Sequence, residues 1–160
     1  MRDIENRIER IEDMEKIKKL KSLYCYLVDE GVAGDKSKFD KLMTNFTDDA
    51  WIDFSEFGRH ESKKAVAAFF ETVVAQVLSY TAHMVSNPII EIDGNKATGR
   101  WYFEVPSTLR AANKPAWLQG KYEEEYHKEK GDWKWASITA RFDFVSPLED
   151  GWVKTKMVAM

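Results

Sequence analysis

The chain has one cysteine, Cys25, four prolines and eight glycines in 160 residues. A single thiol excludes an intramolecular disulfide and a cysteine-based metal site, and it fits a reducing cytoplasm. Charge of one sign is also lacking, since 24 Lys plus Arg face 27 Asp plus Glu for a net charge of -3. That balance makes no field to gather nucleic acid or an anionic membrane, so neither partner is expected. The stretch MRDIENRIERIEDMEKIKK is charged throughout, which excludes a signal peptide or membrane span there. Missing too are a phosphate-binding glycine loop, a dinucleotide fingerprint, HExxH and GxSxG. With histidine only at His60, His83 and His127, a transition-metal centre is not expected.

What is present is 44% hydrophobic and 13% aromatic residues, enough for one filled core and a single domain over residues 1–160. Ile4, Ile8, Ile11, Ile17 and Leu20 recur at helical spacing, so an amphipathic helix with one apolar face is expected to about Asp29, with a bend or split near Met14. Gly31, Gly34 and Asp35 end it. Lys38 to Phe46 predicts a second helix with Thr47-Asp48-Asp49 as its polar stop, and Trp51 to Phe54 a short strand. Ser62 reads as the N-cap of a third helix through AVAAFFETVVAQVL. From Ser79 onward the residues turn β-branched and aromatic. Two hairpins follow, Thr81–Ile92 with Lys96–Val105 around Asp93-Gly94-Asn95, and Trp117–Lys128 with Trp133–Val145 around Lys130-Gly131-Asp132. Helices first and a four-stranded meander after, with no βαβ alternation, predict an α+β fold.

Alternate residues of a strand share a face. Gly99, Trp101, Phe103 and Val105 form the set expected to look inward. On the last strand Trp135, Ser137, Thr139, Arg141 and Asp143 oppose Ala136, Ile138, Ala140, Phe142 and Phe144, and either set suits a concave face. The charged run EEEYHKEKGDWK reads as an exposed hairpin end, and Trp117, Tyr122 and Trp133 as candidates for an exposed face that pairs subunits. The segment Ser146 to Met160 either covers a pocket mouth or trails.

Acid–base chemistry by one histidine remains. His83 lies within the apolar run TAHMVSNPII, whereas His60 and His127 sit in polar surroundings and read as solvated. Histidine exchanges a proton near neutral pH, and a carboxylate on its other nitrogen fixes the tautomer. The same residue is also readable as a satisfied histidine in a core wall or rim. Tyr24, Tyr26, Asp29 and Glu30 cluster near the end of the first helix. A phenol there can donate to a substrate carbonyl, and equally the tyrosines can be core residues and the acids a helix-end cluster.

Five phrases in order, LYCYLVDEG, FTDDAWIDF, GRHESKKAVAAFF, HMVSNPIIEIDGNKATGRWYF and GKYEEEYHKEKGDWKWASITARFDFVSPL, make the chain from about Asp13 to Leu148 resemble the SnoaL-like branch of the nuclear-transport-factor-2-like superfamily. The resemblance is particularly to its bile-acid dehydratase, scytalone dehydratase and dehydrochlorinase relatives. The resemblance implies a cystatin-like cone of bent sheet around a long helix, a deep pocket, no cofactor and a homo-oligomer, dimer or trimer. It matches His83 to the family's strand histidine, Asp29 to the helix aspartate that partners it, and Tyr24 to the helix tyrosine. Arg141 is the candidate wall arginine, and Tyr26, Trp101, Phe103, Val105 and Asp143 are the candidate substrate-binding residues. The segment Gly31 to Lys38 is longer than the family's usual connection, which leaves Glu30 and Asp35 as further candidates for the partner of His83. Val105 stands where bile-acid dehydratases carry an acid.

Two functions follow as expectations. One is a cofactor-independent dehydratase or isomerase acting on a small hydrophobic cyclic molecule such as a steroid, polyketide or aromatic compound. The other is a non-catalytic binding domain of the same fold, since fold alone does not decide function. Hydrogen bonding of His83 to one of the acids inside an open cavity separates them.

Overall fold

A computed structural model describes residues 2–157. Helix α1 runs unbroken over Arg2–Val32 and α2 over Ser37–Met43. The helix is not split at Met14. The buried face of α1 starts only at Asp13 and continues through Ile17, Leu20, Tyr24, Leu27 and Val28. Ile4, Ile8 and Ile11 keep the helical spacing but stay exposed, because the first three turns meet too little of the sheet to bury them. The expected apolar face is therefore a core face in its second half only.

Strand β1, Phe46–Asp53, takes in the Thr47-Asp48-Asp49 segment expected to stop the second helix. It pairs antiparallel with β2, Arg59–Glu61, and parallel with the last strand. Ser62 caps the following helix, its hydroxyl accepting from the Ala65 N–H at 3.3 Å. The predicted single helix is α3, Lys63–Ala68, then a π-helical segment Phe69–Val74, then one short turn α4, Ala75–Val77. Segments of π-helix are frequent at functional sites.

The expected strand over Thr81–Ile92 is two strands. β3, Leu78–Thr81, and β4, Met84–Asp93, run one after the other along the same edge of β5, Lys96–Leu109, with Ala82 and His83 between them. β6, Lys114–Glu129, and β7, Asp132–Pro147, complete a seven-stranded sheet in the order β2-β1-β7-β6-β5-β3, with β4 also on β5. Both predicted hairpin turns are present, and Gly94 and Gly131 take positive φ there. The meander is real, but the parallel β1–β7 pair makes the sheet mixed. The fold is α+β: N-terminal helices against a strongly curled sheet that closes into a half-barrel, the nuclear-transport-factor-2-like arrangement.

Two bulges on β7 set its faces. Pairing jumps from Tyr126↔Trp135 to Glu125↔Ser137, and again from Gly120↔Phe142 to Gln119↔Phe144. An extra residue in one strand of a pair shifts the side-chain alternation, so neither parity set predicted for β7 faces inward along its whole length. A short helix α5, Gly151–Lys154, follows the sheet, and Trp152 packs on Phe144 and Trp117. Residues 158–160 of the tail segment lie outside the described residues. Among the described residues no helix is long and apolar enough to cross a membrane.

Candidate active site

Between α1, the π-helical segment and the inner face of β5, β6 and β7 lies a cavity with an open mouth. Every side chain lining it is hydrocarbon except Tyr24, His83 and Tyr122. Phe103 and Val105 of β5, Ala140 and Phe142 of β7, and Phe69 and Phe70 of the helical wall supply much of the apolar surface. A wall of this composition suits a neutral apolar ligand oriented by a few polar groups.

His83 reaches this wall because the edge strand breaks beside it. The Ala82 N–H donates to Pro106 O, so the chain stays on the sheet while the pleat is interrupted and the imidazole turns toward α1. There Asp29 receives it with both oxygens. Oδ1 lies 2.6 Å from His83 Nδ1 and accepts from the Thr81 hydroxyl at 2.7 Å, while Oδ2 accepts from the His83 backbone N–H at 3.0 Å. A carboxylate only accepts, so Nδ1 carries the hydrogen of this bond and the neutral ring has its lone pair on Nε2. The histidine side chain is 9% exposed and that of Asp29 25%.

Tyr24 meets the imidazole edge to face, with ring centres 5.8 Å apart. Burial raises its phenol far above the ordinary tyrosine range, and the same holds for Tyr122, whose ring centre lies 5.9 Å from its own. Both hydroxyls therefore keep their protons and can donate. Cys25, one residue on, points away from the cavity lining; burial pushes its thiol up to about 11, and Sγ donates to Lys21 O at 3.4 Å. It is a packed thiol rather than a nucleophile.

Of the candidate residues, the fold brings together His83, Asp29, Tyr24, Phe103 and Val105. Glu30 instead bonds Lys38 at 2.6 Å, and Asp35 bonds the Ser37 hydroxyl at 2.5 Å, both in exposed positions away from His83. Tyr26 is 69% exposed, because two residues along a helix turn a side chain to the opposite face. Arg141 pairs with Asp53 at 3.1 Å and Asp143 with Lys121 at 2.5 Å, all outside the cavity. The bulged register turns Ala140 and Phe142 inward and leaves those two charges outside. Trp101 is buried on the inner side, as its parity suggests, but it lies beyond the cavity and donates to the Tyr126 hydroxyl at 3.2 Å.

Tyr122 was legible only as a surface aromatic, and it is 4% exposed and in the cavity wall. Trp133 is equally buried, so of the three aromatics read as a pairing face only Trp117 keeps partial exposure. The run EEEYHKEKGDWK likewise hides Glu124 and Tyr126. The alternation Leu118, Gly120, Tyr122, Glu124, Tyr126 carries that signal, since all five lie on the buried face of β6. His60 is half-buried, with Nε2 3.0 Å from Phe57 O, and its ring lies 4.8 Å from that of Phe69.

Comparison with known proteins agrees with this architecture. The SnoaL-like domain matches residues 9–139. No curated protein sequence matches the chain. The structure is similar to that of LinA, with a TM-score of 0.80 at 20% identity over 89% of this chain and 93% of that one. It is similar to the hexachlorocyclohexane dehydrochlorinase LinA-type3 from Novosphingobium barchaimii LL02, with a TM-score of 0.78 at 21% identity over 89% and 94%. A nuclear transport factor 2-like superfamily protein from Salmonella enterica serovar Typhimurium gives a TM-score of 0.69 at 16% identity over 91% and 96%. Likeness at these identities establishes the fold, and the domain match extends through α1, the break at His83 and most of the sheet: the chain belongs to the SnoaL-like domain family.

Proposed function

We propose that the protein is a lyase or isomerase of the dehydratase type that needs no cofactor and acts on a neutral, hydrophobic cyclic substrate. His83 Nε2 takes a proton from a carbon next to a carbonyl or leaving group. Asp29 holds the ring in the tautomer that leaves Nε2 free and stabilises the imidazolium that forms. The electron pair of the broken C–H bond either expels the leaving group or moves onto the carbonyl oxygen, where Tyr24 donates a hydrogen bond. Reprotonation of that enolate at another carbon completes an isomerisation.

The observation that carries this reading is the 2.6 Å contact between Asp29 Oδ1 and His83 Nδ1 at the edge of a cavity otherwise lined by hydrocarbon and two phenols. A purely structural histidine is satisfied by such a contact too, but it need not face an open apolar cavity. The fold shared with proteins named as dehydrochlorinases supports a lyase-type reaction. Deuterium exchange at the acidic carbon of cyclic ketones in D2O, followed by NMR, tests the base directly. Wild-type protein is expected to catalyse it and His83→Gln to lose it by about 100-fold or more, with thermal unfolding nearly unchanged. Equal exchange by the two proteins rules out His83 as the base.

A further inference from the structure

Lys21 lies one helical turn before Tyr24, and its side chain has no solvent exposure. The ammonium is 2.5 Å from Glu124 Oε1, 3.5 Å from the centre of the Tyr122 ring and 4.2 Å from that of Tyr24. Glu124, also fully buried as a side chain, accepts from the Tyr126 hydroxyl with its other oxygen, and Tyr126 in turn accepts from the Trp101 indole. The pair is thus ordered. Its cation sits against the two tyrosines that line the cavity, and its carboxylate is tied to residues that do not.

As a stability device this pair is poor, since desolvating two charges offsets most of what their attraction returns, and hydrocarbon replacements are often neutral or better. Its position points elsewhere. A cation on the face of a phenol is attracted by the ring's electrons and makes the hydroxyl a stronger donor. In a water-poor interior the same charge acts on the cavity at short range with little screening. Fixed dipoles aimed at developing charge are an effective means of lowering a barrier, because they need no reorganisation during the reaction.

We infer that Lys21, held by Glu124, is a positioning residue that works through Tyr24 and Tyr122 to stabilise negative charge forming on a substrate oxygen in the cavity. The inference rests on the proposed function for its reaction, but its test does not require turnover. The probe is 4-nitrophenol, whose phenol and phenolate absorb in different bands, so a titration of the bound probe reads which form the pocket prefers. In Lys21→Met/Glu124→Gln the pH at which bound probe ionises should rise by about one unit or more, a tenfold loss of preference for the anion. Affinity for neutral 4-nitroanisole should stay within about twofold. Lys21→Gln/Glu124→Gln, which keeps a neutral hydrogen-bonded pair of similar volume, should give the same result and serves if the first variant does not fold. An unchanged ionisation pH, an equal loss of affinity for both probes, or a wild-type pocket with no preference for the phenolate each overturns the inference. Repeating the titration in His83→Gln keeps the two questions apart. A Lys21 effect that persists there upholds the positioning role even if deuterium exchange shows that His83 is not the base.

Discussion

At the residue scale, Asp29 makes three contacts with two neighbours, and they have two consequences. The bond to the Thr81 hydroxyl and the bond to the His83 N–H anchor the broken edge strand to α1, while the bond to Nδ1 orients the ring. Asp29→Asn keeps a group of the same size but can present an amide N–H to Nδ1, which favours the tautomer with hydrogen on Nε2. Proton abstraction should fall by about 100-fold or more, with thermal unfolding changed far less than in Asp29→Ala. Parallel activity and calorimetry on the two variants check this. Tyr24→Phe should leave binding of neutral ligands intact and slow turnover about 100- to 1000-fold, the range for loss of one oxyanion donor. Retained turnover would remove Tyr24 from the mechanism. The order of motifs offered His83 and Tyr24 with Asp29, Glu30 or Asp35 as the acid, and the last two are set aside only by their bonds to Lys38 and Ser37. Five residues separate Tyr24 from Asp29, and no local rule says which of several nearby acids meets a histidine 54 residues further on.

At the element scale, irregularities do the positioning. The gap between β3 and β4 turns His83 inward, and the bulges on β7 turn Ala140 and Phe142 inward while leaving Arg141 and Asp143 outside. Gly120 stands at one of these bulges, where an added methyl would run into the Arg141 carbonyl and the Phe103 ring. Gly120→Ala should therefore lower stability by about 1–3 kcal/mol, the usual cost of overpacking, and a denaturant midpoint measures it. Further along α1, burial pushes the Asp13 carboxyl up, but the Lys128 ammonium, which donates to Oδ2 at 2.9 Å, helps hold the group below the usual carboxylate range. A carboxylate whose folded value is lowered adds stability above its unfolded value and loses it as pH falls through the folded one. Asp13→Ala should accordingly cost about 1–3 kcal/mol at neutral pH, with the two proteins converging under acid; urea titrations at several pH values follow this. The elements themselves were largely legible, since periodicity marks α1 and turn residues mark the hairpins. Bulges, the strand break and the π-helical segment were not, because each depends on pairing with a distant strand rather than on its own residues.

At the scale of the whole molecule, the curl of one sheet and the helices laid on it enclose a space that no single element forms. Ala140 is the smallest side chain in its wall and is 1% exposed. Ala140→Leu adds three carbons that should project into the cavity and weaken binding of cyclic ketones by about 10-fold or more, since one methylene in an apolar pocket already changes it by about that much. Equilibrium binding measured alongside deuterium exchange shows whether the loss lies in affinity, as expected, rather than in the proton transfer.

Composition and pattern by themselves determined an α+β fold in which a long helix precedes a meander of strands, and the family resemblance added the aromatic and acidic cluster on α1 as the counterpart of His83. These follow from local physics, the helical repeat, the strand alternation and the turn chemistry, together with a family order of motifs. Which acid meets His83, which face of β7 looks inward, that Tyr122 and not Tyr26 lines the cavity, and that Lys21 and Glu124 are buried together behind it were decided only in three dimensions. The reason is common to all four: each depends on register between segments far apart in the chain, and a shift of one residue there exchanges the inside of the sheet for the outside.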